Sequence, residues 1–313
     1  MYPDALTFSF LGVEIYAYGL CLMAGALLGL LVFYRLSQRR GLLNAAALAG
    51  LLALPLGLVL SRLLYSFGDP LFQPFISLQN ILNLRTGGFA MYGALIGAAL
   101  GAALTARLLK VKAPGLLDLL APALAAFLIP ARLGEGFTVL GLSRPLTTPW
   151  IAGSFLALKE PYEAYLRTYL LEAFIALVLF IILLSALKRF RRPGNVFLLG
   201  CLLYGITQTL MESLRFDGHL RFSFVGLQQV LSAALFAIVL ITLAARALRR
   251  PGGKALPLIT LALLPLVIAG AIAVEFMIDR SPMGKLPAYG LYLLLLCIPT
   301  GLGMLLFRRE EMP

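Results

Sequence analysis

The sequence predicts an all-α polytopic membrane protein with about nine transmembrane helices. Of its 313 residues, 61% are hydrophobic and only 13% are charged, whereas soluble globular domains carry about 25% charged residues. The mean hydropathy is +0.94. Apolar stretches recur along the whole chain without a soluble block between them, which favours one helical membrane bundle over two separate domains.

The helices are predicted from stretches of mostly apolar residues, because about 20 such residues are needed to cross a bilayer. These stretches are residues 13–34, 44–66, 87–108, 115–136, 168–187, 195–214, 225–247, 256–277 and 286–307. The fourth and the sixth are the least uniform, since charged and polar residues interrupt them.

Basic residues cluster after every second predicted span. They are Arg35, Arg39, Arg40, Arg107, Lys110, Lys112, Lys188, Arg189, Arg191, Arg192, Arg246, Arg249, Arg250, Lys254, Arg308 and Arg309. Because short cytoplasmic loops carry an excess of Lys and Arg, this pattern predicts an external N-terminus and a cytoplasmic C-terminus. The same pattern accounts for the net charge of +12 without a nucleic-acid partner.

Charged residues within or beside the spans form a second pattern. They are Glu14, Arg62, Arg85, Arg132, Glu135, Glu172, Glu212, Arg215 and Glu275, with Asp118 as an exception on the cytoplasmic side. In the predicted topology the others lie near the external ends of their spans. Charge inside a membrane is costly and marks functional sites. A transporter would place its polar site at the midplane, so the layer favours chemistry on a lipid headgroup or on a molecule at the outer surface.

Two short motifs carry the first candidate residues. In IPARLGEGF, residues 129–137, Arg132 and Glu135 are three apart and share a helix face. Arginine presents a rigid fork of donors that suits a phosphate, and Glu135 could orient it or act as a base. In LRTYLLEAF, residues 166–174, Glu172 lies about one turn into the fifth span. The alternative for the first pair is a structural ion pair at a helix end.

A polar stripe follows the sixth span in YGITQTLMESLR. Tyr204, Gln208, Glu212 and Arg215 recur at spacings of four, four and three residues. Such a stripe faces the bundle interior or a wet cavity rather than lipid. The alternative is an interhelical hydrogen-bond network without chemistry.

The stretch RTGGFAMYGALIG opens the third span with a charge and two glycines. Arg85 precedes Gly87 and Gly88, which permit close approach of backbone or ligand. Tyr92 lies about one turn inside. The small residues that follow predict a tightly packed central helix.

Three further polar residues lie near external span ends. Tyr18 and Gln229 begin the first and seventh spans, and His219, the single histidine, is expected to be a solvated loop residue. The sequence holds no phosphate-binding glycine loop, no cluster of metal ligands and no serine-nucleophile motif, so neither a cofactor nor a metal is expected.

Taken in order, GGFAMYGALIG, ARLGEGF, LLEAF, YGITQTLMESLRFD and LQQVLS resemble motifs of the prolipoprotein diacylglyceryl transferase family, as does YGL near the start. The resemblance covers roughly residues 10–245. It implies a seven-helix family core over residues 1–250 and two additional helices over 251–313. It also implies transfer of a diacylglyceryl group from phosphatidylglycerol to the lipobox cysteine of a preprolipoprotein. That reaction belongs to the outer face of the bacterial cytoplasmic membrane.

The resemblance assigns roles to individual residues. Tyr18 matches the tyrosine of YGL, Arg132 the first phosphate-site arginine, Glu172 the glutamate ending HPxQLYE, Glu212 and Arg215 the ExxR pair, and Gln229 the glutamine of GQxLS. From these matches we expect Arg132 and Arg215 to hold the phosphate and Glu135 and Glu212 to orient them or accept a proton. Tyr18 and Tyr92 would hydrogen-bond the lipid or an intermediate.

The chain also departs from the family pattern. Tyr92 stands where histidine is usual, Glu135 where asparagine is usual, Leu140 at the later glutamate and Gln208 at a second arginine. Tyrosine has a pKa of about 10, whereas histidine has a pKa of about 6.5, so tyrosine is the poorer base at neutral pH. Arg85 could supply compensating charge. Three alternatives therefore stay open: a paralogue with a changed acceptor, a non-catalytic membrane protein that binds lipid or peptide, and a transporter.

Overall fold

The computed structural model describes residues 7–10, 13–68, 77, 79, 81, 88–138, 140–216, 221–280 and 285–311. Arg85, Gly87 and His219 lie outside the described residues, and so do the predictions made for them.

Nine helices in the described part of the chain are long and apolar enough to cross a membrane. They are α1 (Ala17–Arg39), α2 (Leu43–Gly68), α3 (Met91–Leu108), α4 (Ala113–Gly134), α5 (Thr168–Arg189), α6 (Asn195–Leu214), α7 (Leu227–Leu248), α8 (Ala255–Arg280) and α9 (Leu286–Glu311). The predicted number of spans is confirmed. The first helix begins at Ala17 rather than at residue 13, because the apolar residues before it form a strand.

Short strands occupy several of the connecting segments. They are β1 (Thr7–Phe10), β2 (Val13–Tyr16), β3 (Leu142–Pro145), β4 (Ala157–Lys159), β5 (Ala164–Arg167), β6 (Arg221–Phe222) and β7 (Val225–Gly226). The first two and the last two pair as antiparallel hairpins, and β5 lies between β3 and β4. The prediction of an all-α chain holds for the spans and misses these strands, which are too short to give a clear alternation of apolar and polar residues.

The chain folds as two compact units. The first comprises residues Met1–Gly141 with Tyr169–Lys188, and the second comprises Leu142–Thr168 with Arg189–Pro313. In the first unit α1 packs on α4, and α2 packs on α3. In the second unit α6 packs on α7, and both of the last two helices contact α7. The predicted boundary near residue 250 concerns the extent of a family core and stays a prediction.

Close packing of α3 on α2 depends on glycines spaced four residues apart. A Cβ atom added at Gly97 would come within 2.5 Å of the Cα atom of Gly57. At Gly101 it would lie 2.9 Å from the backbone nitrogen of Ala53. Both distances are shorter than real carbon contacts, so this face can carry no side chain. The tight helix packing predicted from GALIGAALG is confirmed.

Candidate functional site

Arg132 is held between two buried glutamates in the first unit. Its Nη1 atom lies 2.7 Å from Oε1 of Glu135, and its Nε atom lies 2.8 Å from Oε2 of Glu172. All three side chains are at most 4% exposed. The last turn of α4, the 3₁₀ turn that follows it and the second turn of α5 supply one residue each. The structure therefore brings Glu172 to the pair of Arg132 and Glu135, which the sequence analysis had singled out apart from it.

Backbone hydrogen bonds fix the turn that carries Glu135. The backbone nitrogen and the hydroxyl of Thr138 donate to the carbonyl oxygen of Glu135, at 3.0 and 2.7 Å. Gly141 then adopts a φ of +72°, and a Cβ atom there would lie 2.9 Å from Oε2 of Glu135 and 2.9 Å from Cβ of Tyr169. Gly141 thus makes room for the carboxylate, a role that sequence reasoning missed because a single loop glycine gives no signal by itself.

An apolar groove of about 670 Å³ lies among α1, α4 and α5, the last two of which carry Arg132 and Glu172. Its lining is Leu20, Cys21, Ala24, Pro130, Leu133, Gly136, Phe137, Tyr169 and Leu170. None of these described lining residues carries a charge. A groove of this size and composition suits a hydrocarbon chain.

Tyr18 lies against the same end of α4. A Cβ atom added at Gly134 would lie 3.0 Å from Cδ2 of Tyr18 and 2.5 Å from Cβ of Cys21, so the first turns of α1 contact the last turn of α4 closely. Tyr18 is half-buried. In the first unit, the structure places this tyrosine beside the turn from which Arg132 projects.

The start of α3 is anchored on α2 by Arg62 and Ser61. Arg62 is buried, and it donates from Nη1 to the carbonyl oxygen of Gly88 at 3.0 Å and from Nε to that of Ile81 at 3.1 Å. Gly88 has a φ of +79°, and a Cβ atom there would lie 2.8 Å from Nη1 of Arg62. The close neighbours of Gly88 are side chains of α2, and the close approach of backbone or ligand predicted for the glycine pair stays a prediction. Tyr92, one turn later, is buried.

Three of the four residues of the polar stripe are buried in the second unit, and Tyr204 is half-buried. Gln208 and Glu212 are each 4% exposed and Arg215 is 1% exposed. The helix ends at Leu214, and the chain beyond it pairs with the start of β3, where the nitrogen of Phe216 donates to the oxygen of Leu142 at 2.9 Å. Burial of the stripe agrees with the prediction that it faces away from lipid.

Gln229 is the centre of a hydrogen-bonded cluster in the second unit. Its Oε1 atom accepts from the backbone nitrogen of Gly226 at 3.3 Å, which caps the start of α7. Its Nε2 atom lies 2.9 Å from Oε2 of Glu275 and 3.1 Å from the hydroxyl oxygen of Tyr292. Glu275 and Tyr292 come from α8 and α9. The sequence marked Glu275 as a charge inside an apolar span, but it could not identify the partner.

Comparison with known proteins gives a consistent result. A family model described as prolipoprotein diacylglyceryl transferase matches residues 5–245. The phosphatidylglycerol–prolipoprotein diacylglyceryl transferase of Finegoldia magna is 26% identical over 239 residues, which cover 76% of this chain and 92% of the relative. That of Leifsonia xyli is 30% identical over 247 residues, covering 74% of each chain. That of Bacillus velezensis is 25% identical over 247 residues, covering 76% and 90%.

Proposed function

The chain belongs to the prolipoprotein diacylglyceryl transferase family and is a multi-pass membrane transferase, and from this premise we propose its substrates and its chemistry. It transfers a diacylglyceryl group from phosphatidylglycerol to the lipobox cysteine thiol of a preprolipoprotein. The carrying observation is the buried guanidinium of Arg132 between Glu135 and Glu172, on helices that also form an apolar groove.

The phosphate of the lipid is the proposed ligand of Arg132. One guanidinium and two carboxylates, when all are ionised, carry a formal charge of −1, so an incoming phosphodiester meets negative charge as well as the arginine. The phosphate would displace one carboxylate from the guanidinium. If the displaced carboxylate takes up a proton, it loses its negative charge, and its repulsion of the phosphate falls.

The acceptor thiol supplies that proton. Glu135 accepts the proton from the thiol. The sulfur forms a bond to the carbon of the diacylglycerol unit that carries the phosphate ester. The bond between this carbon and its phosphate oxygen breaks, and the electron pair leaves with glycerol phosphate. Arg132 stabilises the charge that develops on the leaving group. The products are a diacylglyceryl thioether and glycerol phosphate.

Tyr92 is assigned a hydrogen-bonding role rather than a proton-accepting one. Its neutral hydroxyl donates a hydrogen bond at physiological pH, whereas a histidine at this position could also act as a base. A glutamate is therefore the proposed base in this chain. Tyr18 would contact the lipid from the first turn of α1, where it lies beside the end of α4.

The remaining residues are proposed to bind substrate. Glu172 would orient Arg132, and Gly88 would allow close approach of the lipid or peptide backbone. Arg85 and Gly87 are candidates outside the described residues. In the second unit, Gln208, Glu212, Arg215 and Gln229 are buried polar groups that would contact lipid or peptide. The prediction that Arg132 and Arg215 hold one phosphate stays a prediction.

The proposed location is the bacterial cytoplasmic membrane, with the site toward the outer leaflet. The basic clusters after alternate spans support this orientation. No cofactor is proposed, and nucleic acid is not a proposed partner, because the chemistry needs only an arginine, a base and two substrates.

A second candidate function is a family member that binds lipid or peptide without turnover, or that uses another acceptor. Tyr92 at the position of the family histidine favours it. The retained charges favour the transferase. Four charged residues are buried, which costs free energy, and a chain without catalysis would be expected to lose them: Arg132, Glu135, Glu172 and Glu212.

A turnover assay separates the two functions. The purified protein in detergent is given phosphatidylglycerol and a lipobox peptide, and glycerol phosphate release and peptide mass are followed. A peptide with serine in place of the cysteine and a bilayer lipid without the glycerol headgroup serve as substrate controls. We expect glycerol phosphate together with a peptide that has gained the diacylglyceryl mass.

The same assay on Arg132→Ala tests the arginine. We expect no product from this variant while it still elutes as the folded wild type does. Full activity would remove the proposed grip on the phosphate. Binding of lipid or peptide by the wild type without any product, beside an active family member, would support the second candidate instead.

A further inference from the structure

Glu275 is a buried carboxylate on a helix that the family match does not reach. It lies in α8 and is 3% exposed, and the match ends at residue 245. A carboxylate inside an apolar span is costly unless it is hydrogen-bonded or paired. One of its partners in the structure is Gln229, a residue of the family's motif, with Oε2 accepting from Nε2 at 2.9 Å.

The hydrogen bonds of Gln229 give the side chain one orientation. Its oxygen accepts from the nitrogen of Gly226, and its amide nitrogen faces Glu275, Tyr292 and the carbonyl oxygen of Thr209. The amide has only two hydrogens for three acceptors, and the Glu275 carboxyl group accepts over the shortest of the three distances, 2.9 Å. Without Glu275, the main force that holds the amide nitrogen toward α8 is lost.

The capped turn at Gly226 also adjoins Glu212. A Cβ atom added at Gly226 would lie 3.8 Å from Cβ of Gln229 and 3.9 Å from Oε2 of Glu212. The Gln229 side chain and the carboxylate of the ExxR pair therefore both lie close to the turn at Gly226. A change in its orientation would alter the surroundings of Glu212.

Other polar groups of the last two helices meet the same end of α6. The hydroxyl of Tyr289 donates to the carbonyl oxygen of Ser213 at 3.1 Å. Asp279 pairs with Arg144 at 2.8 Å, and this arginine lies over the ring of Phe216 at 4.4 Å. Tyr289 of α9 thus contacts the segment that contains Glu212 and Arg215 directly, and Asp279 of α8 contacts it through Arg144.

We propose that Glu275 is a positioning residue for Gln229, and that α8 and α9 fix this side chain at the turn near Glu212 in the second unit, where Gln229 is proposed to contact lipid or peptide. The inference rests on the proposed function. It gives the two helices beyond the family core a task, because they supply hydrogen-bond acceptors to a residue that the core itself provides.

The test compares Glu275→Leu with Glu275→Gln in the turnover assay. Leucine removes the acceptor, and we expect kcat/KM to fall at least tenfold per folded molecule. Glutamine keeps an acceptor oxygen, and we expect at least half of the wild-type activity. Gln229→Leu should cause at least as large a loss, because it also removes the contacts of Gln229 with Gly226, Thr209 and Tyr292. The double variant should lose no more than Gln229→Leu alone, since Glu275 acts through Gln229.

Glu310→Leu is the matched control. Glu310 is also a buried glutamate of this helix pair, 4% exposed, and it pairs with Arg192 at 2.9 Å near the opposite end of α9. We expect a lower melting temperature but unchanged kcat/KM per folded molecule. If Glu275→Leu behaves in the same way, with stability reduced and kcat/KM unchanged, Glu275 is merely structural and the inference is overturned. Additive losses in the double variant would also overturn it.

A second measurement separates this inference from the proposed function. The rise in melting temperature on adding phosphatidylglycerol is recorded for the wild type, Glu275→Leu and the control Glu310→Leu. This measurement requires no turnover. A wild type that binds lipid but forms no product would refute the proposed function. Loss of the rise in Glu275→Leu alone would still support the inference. An equal rise in all three proteins, without turnover, would refute it.

Discussion

At the scale of single residues, the shape of the guanidinium decides what Arg132 can do. Two carboxylates approach two different nitrogens, Nη1 and Nε, at 2.7 and 2.8 Å. A lysine ammonium donates from a single nitrogen and cannot reproduce two donors that are fixed on separate atoms of one plane. The site thus depends on the planar fork as well as on the charge.

Arg132→Lys should therefore lower kcat/KM by about 100-fold or more, in the range seen when a preorganised donor to a developing charge is removed. The turnover assay measures it. Arg192→Lys, which changes an arginine paired with Glu310 instead, is the control and should keep its activity. Equal activity of the two variants would contradict the need for a fork at Arg132.

Gly88 is constrained by its backbone as well as by its neighbours. Its φ of +79° is unfavourable for any residue with a Cβ atom, and that atom would overlap the ring of Tyr65. Gly88→Ala should lower stability by about 1–2 kcal/mol from the backbone alone. Melting in detergent measures it, with Gly19→Ala as the control, because nothing lies within 4 Å of a Cβ atom at Gly19. Equal melting temperatures for the two variants would refute this explanation.

At the scale of elements, close packing of α2 and α3 is set by the glycine face of α3. The start of α3 is also tied to α2, because the hydroxyl of Ser61 donates to the carbonyl oxygen of Ala90 at 2.8 Å. Tyr92 projects from the first turn of α3, so the position of this turn depends on the packing of the helix pair.

Gly97→Ala should separate α3 from α2 and lower stability by about 1–3 kcal/mol, as overpacking generally does. Melting in detergent tests this. Gly115→Ala on α4 is the matched control, because a Cβ atom there meets nothing within 4 Å. A control that melts as low as Gly97→Ala would show that the effect does not come from the helix contact.

At the scale of the whole molecule, the alternating basic clusters predict the sidedness of the loops. The side chain of Tyr162, between β4 and β5, is 99% exposed, and Lys254 lies just before α8. The positive-inside rule puts the first outside and the second in the cytoplasm.

Cysteine labelling tests this assignment. In a chain whose Cys21, Cys201 and Cys297 are replaced by serine, a membrane-impermeant thiol reagent should label Tyr162→Cys in intact cells. It should label Lys254→Cys only after permeabilisation. The reverse pattern would place the proposed site on the cytoplasmic side and refute the outer-leaflet assignment.

The sequence by itself determined the class of protein, the number of spans and the family. Each depends on local or ordered information: the length of apolar stretches, the order of short motifs and the placement of charges along the chain. It also marked the pair of Arg132 and Glu135 and, apart from it, Glu172, because a charge next to an apolar span is visible without knowing its distant partner. The start of α1 was less clear, because the short, mostly apolar run at residues 13–16 is compatible with a strand as well as with a helix.

Only the tertiary structure decided which of these charges are partners. Arg132 and Glu172 are 40 residues apart in number, and Gln229 and Glu275 are separated by 46; no local pattern specifies such pairs. The same holds for Gly141, which is needed because a side chain there would overlap the carboxylate of Glu135. Hydrogen bonds and ion pairs act over about 3 Å, so they are fixed by how helices pack, and that packing depends on side-chain shape along the whole length of each helix.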